Sequence, residues 1–340
     1  MSLDINIIAS TKLGYVLPKE EALKLGAKLA GVCYTERDFE EISNEPIKQT
    51  LNRQGIVLNN DHHSVFDHPH YTLEIKGLPK ILAMFLNNEK YYVTSEKSAR
   101  YTQMSQIEPR QKSKYDKWND VIKQKIADTY PFIDEKKRGK LAKENARYMT
   151  SVFTPTKMGH TLSFRQINYA MHWFNNFIEN TPDSSFNTEV KKAMRQFNNE
   201  LADLYVEKID PDIKIRNLSM ITNRNDFKEF FDETYSTNYK ISFAGFAQSQ
   251  RHRTLNYQME HPEKALDRTS KPEELFFVPP ILRDEPYLVE EWLKDADELK
   301  DDFLQSIMVQ TNEKGTYENF ISKSVERLCG NAQWEIMDET

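Results

Sequence analysis

Polar and apolar residues alternate over Asp4-Ile5-Asn6-Ile7-Ile8-Ala9 and again over Tyr71-Thr72-Leu73-Glu74-Ile75-Lys76-Gly77. A period of two predicts strands, the second with one buried face. Pro18 is placed as the first residue of a helix that carries Ala22, Leu25, Leu29 and Val32 on one side. The segment after Leu78-Pro79 reads as an apolar helix through Ile81, Leu82, Met84 and Phe85, and long polar helices are predicted over 112–129, 134–149, 165–180 and 186–208. A second cycle begins near Pro211, with an apolar helix at about 240–250 and further helices near 286–310 and 316–337.

At 340 residues the chain is long enough for one large domain or two ordinary ones. Its 39% hydrophobic and 29% charged content is that of a globular protein with a sizeable core. A net charge of −6 argues against general nucleic-acid binding. The local basic run Arg110, Lys112, Lys114, Lys117, Lys123, Lys125 is interrupted by Asp116 and Asp120 and reads as a solvated helix face. Two cysteines, Cys33 and Cys329, make no disulfide framework, and no Cys/His group has zinc spacing. The first ten residues lack a basic-then-apolar leader pattern and no apolar run approaches membrane-spanning length. The expectation is a cytoplasmic protein with no membrane and no nucleic-acid partner.

Five segments carry candidate chemistry. Arg251-His252-Arg253 follows the apolar run Ile241–Ala247, where charge is expected only at a polar helix end or against an anion such as phosphate. His62-His63-Ser64-Val65-Phe66-Asp67-His68 packs three histidines and a carboxylate into seven residues; it reads as a hydrogen-bonded corner, since its spacing suits no metal. In Glu96-Lys97-Ser98-Ala99-Arg100-Tyr101 an extended backbone would put Ser98 and Arg100 on one face, able to meet one oxyanion, or would be an ordinary surface loop. Glu144 and Arg147 share a helix face, the usual arrangement of a surface ion pair. Arg327 and Trp334 lie seven apart in the stretch ending Ala332-Gln333-Trp334-Glu335-Ile336. There is no Gly-rich phosphate loop.

Together these segments resemble the flavin-dependent thymidylate synthases, a family marked by a His-x-Ser/Thr-x-x-Glu-His corner, Arg-His-Arg followed by Ser-x-Arg-Tyr, a Glu-x-x-Arg helix, and a final Arg-x(5)-Ala-Gln-Trp-Glu-Ile. Gly31-Val32-Cys33-Tyr34 also resembles the end of the family's first helix. Each half departs from the pattern differently. The first half keeps Ser98-Ala99-Arg100 but has Asn88-Glu89-Lys90 in place of Arg-His-Arg, Asp67 for the usual Glu, Ser163-Phe164-Arg165 for Asn-x-Arg, and Phe174 for the last-helix arginine. The second half keeps Arg251-His252-Arg253 and Arg327 but has His261-Pro262-Glu263 where Ser-x-Arg belongs.

The resemblance implies an α+β fold of two fused repeats, mixed helices packed on small antiparallel sheets, with residues 1–210 as the first repeat and 211–340 as a shortened second. It implies one pooled dUMP site holding Gln248, Arg251 and Arg327 from one repeat and Glu96, Ser98, Ala99, Arg100 and Arg147 from the other. Catalytic roles fall to Arg251, His252 and Arg327. FAD contacts fall to His62, Ser64, Asp67, Arg165, His252, Arg253 and Asn331. NADPH and methylenetetrahydrofolate are the implied co-substrates, dTMP the product, and a homodimer of fused chains (a pseudo-tetramer) the implied assembly. The alternatives are transfer of another one-carbon group, such as hydroxymethyl, to a different pyrimidine nucleotide, and a catalytically silent flavin- or nucleotide-binding homologue.

Overall fold

The computed structural model describes residues 3–11, 16–60, 62–88, 92–98, 106–209, 221–222, 234–250, 255–316, 319–320, 323–324 and 334–339. The chain divides into two compact units. One comprises Met1–Leu78, Glu89–Glu96 and Thr156–Leu218; the other comprises Pro79–Asn88, Lys97–Pro155 and Ser219–Thr340.

The first unit is built on a four-stranded sheet of β1 (Asp4–Ser10), β2 (His70–Pro79), β3 (Tyr92–Glu96) and β4 (Pro155–Ser163), in the order β1-β2-β4-β3. The alternation in β2 buries Tyr71, Leu73 and Ile75 and leaves its polar residues outward. Helices α1 (Lys19–Tyr34), α2 (Phe39–Ser43) and α3 (Ile47–Asn59) precede the sheet's second strand, and α7 (Phe164–Asn180) and α8 (Ser185–Glu200) follow β4. Pro18 is the residue flanking α1, which begins one position after the predicted start. Glu45, with its side chain fully covered, holds this corner by accepting from Arg53, Arg37 and Thr50. Those hydrogen bonds, Arg53 foremost, bring its carboxyl down to about 2 against the cost of burial.

The second unit contains α4 (Lys80–Asn88), α5 (Pro109–Thr129) and α6 (Glu135–Ala146). Its sheet is formed by β5 (Ile221–Thr222), β6 (Thr234–Ser242), β7 (Asn256–Glu260) and β8 (Met308–Thr316), in the order β5-β7-β8-β6. Three expectations are corrected here. The apolar helix expected at 240–250 is the end of β6 followed by α9 (Phe243–Ser249). The helix expected over 286–310 ends at Asp297, and Met308–Thr316 is a strand. Val309, Thr311 and Glu313 are buried in that strand, and its period-two pattern is masked by polar residues on both faces. The basic stretch of α5 is not merely solvated: Lys114 and Lys117 both donate to the buried Asp295, which also accepts from Trp118 Nε1 at 3.1 Å.

A shift along the chain superimposes much of one half's hydrogen bonding on the other's. Each half has a strand running directly into a helix (β2 into α4, β6 into α9), then a short strand (β3, β7), then a last strand (β4, β8) inserted between the first two. At the start of α4, Lys80 N donates to Thr154 O and Ile81 N to Val152 O; at the start of α9, Phe243 N donates to Ile307 O and Ala244 N to Gln305 O. A shift of 163 carries the donors of the first pair onto the second, and a shift of 153 carries the acceptors. The same shifts take the pair Thr94–His160 on β3 and β4 onto Tyr257–Glu313 on β7 and β8.

The segments before β4 and β8 also pair with each other. Ser151 and Leu304, related by the shift of 153, form an antiparallel bridge. On either side Val152 N donates to Phe303 O and Gln305 N to Thr150 O, both at 2.8 Å. The shift exchanges these two bonds, which is the signature of an isologous contact about a two-fold axis.

Candidate functional site

The sequence Ile241-Ser242-Phe243 ends β6 and starts α9. Ser242 is the cap: its Oγ accepts from Gly245 N at 3.0 Å, satisfying one orphan amide of the first turn. The helix is apolar and buried through Ala247, Gln248 is partly exposed, and Ser249 and Gln250 are again covered. Ala244 and Gln248 are four apart and share a face.

Arg147 meets this helix. It follows α6, is 6% exposed, and donates from Nη2 to Ala244 O at 3.4 Å. Glu144, expected with Arg147 as a surface ion pair, is itself only 5% exposed. Tyr148 donates to Glu335 Oε2 at 2.8 Å. The same carboxylate takes Ser242 Oγ at 2.6 Å and, through Oε1, Ser242 N at 2.7 Å. Burial raises the Glu335 carboxyl above its ordinary value, opposed by the Ser242 and Tyr148 hydrogen bonds and by the Arg147 charge. A guanidinium kept in such a covered setting suits a dianionic phosphate, for which arginine supplies paired donors.

In the first unit, Asp67 and Arg165 come together. Arg165 Nη1 donates to Asp67 Oδ2 at 3.0 Å and Ser163 Oγ to Asp67 Oδ1 at 2.7 Å. Ser163 also caps the helix Phe164–Asn180, accepting from Gln166 N at 3.0 Å, so the serine standing in the family's Asn position has a structural task. His62 and Ser64 are exposed and lie at the start of the same His63–Asp67 turn. The Arg165 guanidinium, the Ser64 hydroxyl and the His62 imidazole are groups able to donate to the hydroxyl and phosphate oxygens of a dinucleotide cofactor, and Asp67 orients the guanidinium.

Glu96 ends β3 opposite Met158, and Ser98 follows two residues later, partly exposed. Ala99, Arg100, Arg251, His252, Arg253, Arg327 and Asn331 lie outside the described residues. Among the described residues no His/Cys/Asp/Glu group could hold a metal ion, and no helix is long and apolar enough to cross a membrane.

The shifts locate the counterparts of the expected site residues. Ser98 corresponds to His261, which is buried and caps its own helix, its Nδ1 accepting from Glu263 N at 3.3 Å. Arg147 corresponds to Lys300, paired with Asp297 at 3.2 Å on the surface. Phe174, standing for the last-helix arginine, is fully buried against Phe197. These side chains serve capping, a surface ion pair and packing respectively. Sequence reasoning missed Tyr148, Ser242 and Gly245. A serine between a polar-alternating strand and an apolar run is a capping signal, hidden here because the strand was read as part of the helix.

Residues 16–204 match the family described as thymidylate synthase complementing protein. No curated protein matches the chain. Among solved structures, the chain is similar to the UMP/dUMP methylase PolB from Streptomyces cacaoi bound with 5-Br dUMP, at 14% identity and a TM-score of 0.38, covering 62% of this chain and 93% of that one. It is similar to thymidylate synthase X from Helicobacter pylori with FAD and dUMP at 16% identity and a TM-score of 0.35, covering 61% and 99%.

Proposed function

The chain belongs to the thymidylate synthase complementing protein family, and from that premise we propose that it is a flavin-dependent thymidylate synthase that methylates dUMP. We read it as two fused repeats, residues 1–210 and 211–340, that share one working nucleotide site. The observation that carries the reading is Arg147: a first-half arginine, buried, hydrogen-bonded to the helix that leads into Arg251-His252-Arg253. The repeated strand order, the matching registers and the reciprocal bonds about Ser151–Leu304 support the fusion. Compactness follows a different division, because residues 97–155 sit in one unit with residues 219–340.

The nucleotide phosphate would be held by Arg100, Arg147, Arg251 and Arg327 with Ser98 donating, and Gln248 and Glu96 would orient the rest of the nucleotide. Ser98 serves as a donor here, with no base assigned to make it a nucleophile. His62, Ser64, Asp67, Arg165, His252, Arg253 and Asn331 would hold FAD. When bound, the reduced flavin supplies the hydride chemistry that side chains lack, with NADPH as its reductant and methylenetetrahydrofolate as one-carbon donor. The protein's part is to fix the ring positions and to exclude water.

The second nucleotide position of the repeat pair has His261, Glu263, Lys300 and Phe174 where the first has Ser98, Arg100, Arg147 and Arg327, so one site per chain is proposed, with two chains pairing as a pseudo-tetramer. The test is tritium release from dUMP labelled at C5, with NADPH and methylenetetrahydrofolate, alongside equilibrium dialysis for FAD and dUMP. Release with one flavin and one nucleotide per chain supports the reading. Turnover of a different pyrimidine nucleotide, with none of dUMP, would replace it with a related transferase. Two equivalent flavins per chain would remove the shared-site argument.

A further inference from the structure

Glu335 is almost fully covered, at 1% exposure, and its hydrogen bonds to the described residues converge on Tyr148 and the start of α9. Its carboxylate takes the backbone N–H and hydroxyl of Ser242, the cap of that helix, and the hydroxyl of Tyr148, next in the chain to Arg147. The helix makes room for it: a Cβ at Gly245 would lie 2.6 Å from Ile241 Cγ1, 2.7 Å from Glu335 Cδ and 2.8 Å from Oε2. Gly245 therefore answers a close approach by two side chains, since bare backbone is what leaves space for Ile241 and for the carboxylate.

The arrangement occurs once in the repeated architecture. By the shift of 163, Ser242 corresponds to Pro79 and Gly245 to Leu82; by the shift of 153, Tyr148 corresponds to Asp301. Proline offers no hydroxyl and no N–H, and leucine fills the space a carboxylate would need. The half that keeps Arg-His-Arg is thus the half with a capping serine, a glycine and a buried acid.

We propose that Glu335 is a positioning residue for the nucleotide site, tying the first turn of α9 to Tyr148 so that Arg147 and the face bearing Gln248 are held in one fixed relation. The inference rests on the nucleotide site assigned above. Hydrogen bonds to a buried carboxylate are charge-assisted and short, and the three groups bound to it come from two residues, Ser242 and Tyr148, one on each of the elements assigned to the phosphate and base contacts. Glu335 touches no ligand in this scheme. It acts through Ser242 and Tyr148.

The experiment compares wild type, Glu335→Leu, Glu335→Gln and Tyr148→Phe in the full chain, measuring the dissociation constants of dUMP and FAD separately, with thermal midpoints. Glu335→Leu should weaken dUMP by about tenfold to a hundredfold and leave FAD unchanged, the range expected when a charged hydrogen-bonding group is lost. Glu335→Gln, whose amide oxygen still accepts from Ser242 N, should recover most of the loss. Tyr148→Phe should weaken dUMP alone, and it decides the matter if Glu335→Leu does not fold. Unchanged dUMP affinity in Tyr148→Phe, or parallel loss of both ligands in every variant, would overturn the positioning role. Wild type that binds FAD but no dUMP would instead overturn the nucleotide-site reading on which it rests.

Discussion

Ser151 and Leu304 face each other across an antiparallel bridge, and the flanking bonds, Val152 N to Phe303 O and Gln305 N to Thr150 O, exchange places under the shift that relates the two residues. A contact in which residue i meets j while the equivalents of j and i meet in turn is what a symmetric dimer interface produces. Here it occurs within one chain. Phe303 breaks the symmetry locally by adopting a left-handed backbone at φ 51°, uncommon for a residue with a side chain.

Arg147 is the first point at which the shared-site reading can be tested. Arg147→Ala should weaken dUMP binding by about tenfold or more, since a charge-assisted bond to phosphate is lost. Arg147→Lys should recover little, because an ammonium lacks the planar fork. Calorimetric titration with dUMP, and separately with FAD as control, gives the result; equal losses of both ligands would point to misfolding rather than to the phosphate.

The Asp67 corner predicts the converse split. Asp67→Ala removes the acceptor of both Arg165 and Ser163. FAD retention through gel filtration should fall while dUMP affinity stays near wild type. Asp67→Glu, which restores the acid usual at this position in the family the chain resembles, should retain FAD.

Asp295 is a structural acid. It is buried and serves Lys114, Lys117 and Trp118 Nε1, so Asp295→Ala leaves the indole N–H facing a covered space, while the partly exposed Lys114 and Lys117 keep Glu298 and Glu291. A loss of about 1–3 kcal/mol in unfolding free energy is expected, the magnitude for leaving a buried donor without its acceptor. Urea unfolding followed by tryptophan fluorescence measures it, Trp118 and Trp292 being in edge contact at 4.8 Å in that region.

Stability should fall on mild acidification. His160 is fully buried on β4, stacked on Tyr92 at 5.2 Å, and burial brings its imidazole down from 6.5 to about 4. The unfolded chain therefore binds a proton that the folded chain refuses, and the stability this group contributes is present above pH 6.5 and lost as pH falls toward 4. Glu45 acts in the same direction at lower pH: its folded value of about 2 lies below the ordinary 4.5, so its contribution is present above 4.5 and is lost toward 2. Thermal midpoints measured from pH 7 to 4 should decline, and His160→Gln should flatten the decline between 6.5 and 4.

Much of the architecture was legible where local pattern decides structure. Strands β1 and β2 follow from alternation, broken in β1 by the irregularity between Ile7 and Ala9, α4 from the apolar run Ile81–Leu86, and α5 and the helix Phe164–Asn180 from long segments of helical period. Strand β8 was not legible. Gln310, Asn312 and Lys314 lie on one face and Thr311 and Glu313 on the other, so both faces read as polar, and the buried Glu313 is tolerated only because Tyr235, Tyr239 and Lys323 supply its hydrogen bonds from elsewhere in the chain. The α9 cap was lost for a related reason, as Ser242 sits inside the apolar stretch Ile241–Ala247 and strand pairing, not local pattern, sets where the strand ends.

The sequence by itself determined that motifs resembling those of one family are divided between two halves of the chain, because motif spacing is a linear property. Only the tertiary structure decided what Arg147 and Glu335 meet. Arg147 reaches Ala244 across about a hundred residues because α6 ends in a buried turn against α9, and Glu335 fixes that meeting because Gly245 leaves room for its carboxylate. Such long-range placement depends on steric fit and on satisfying buried polar groups, and no local pattern encodes either.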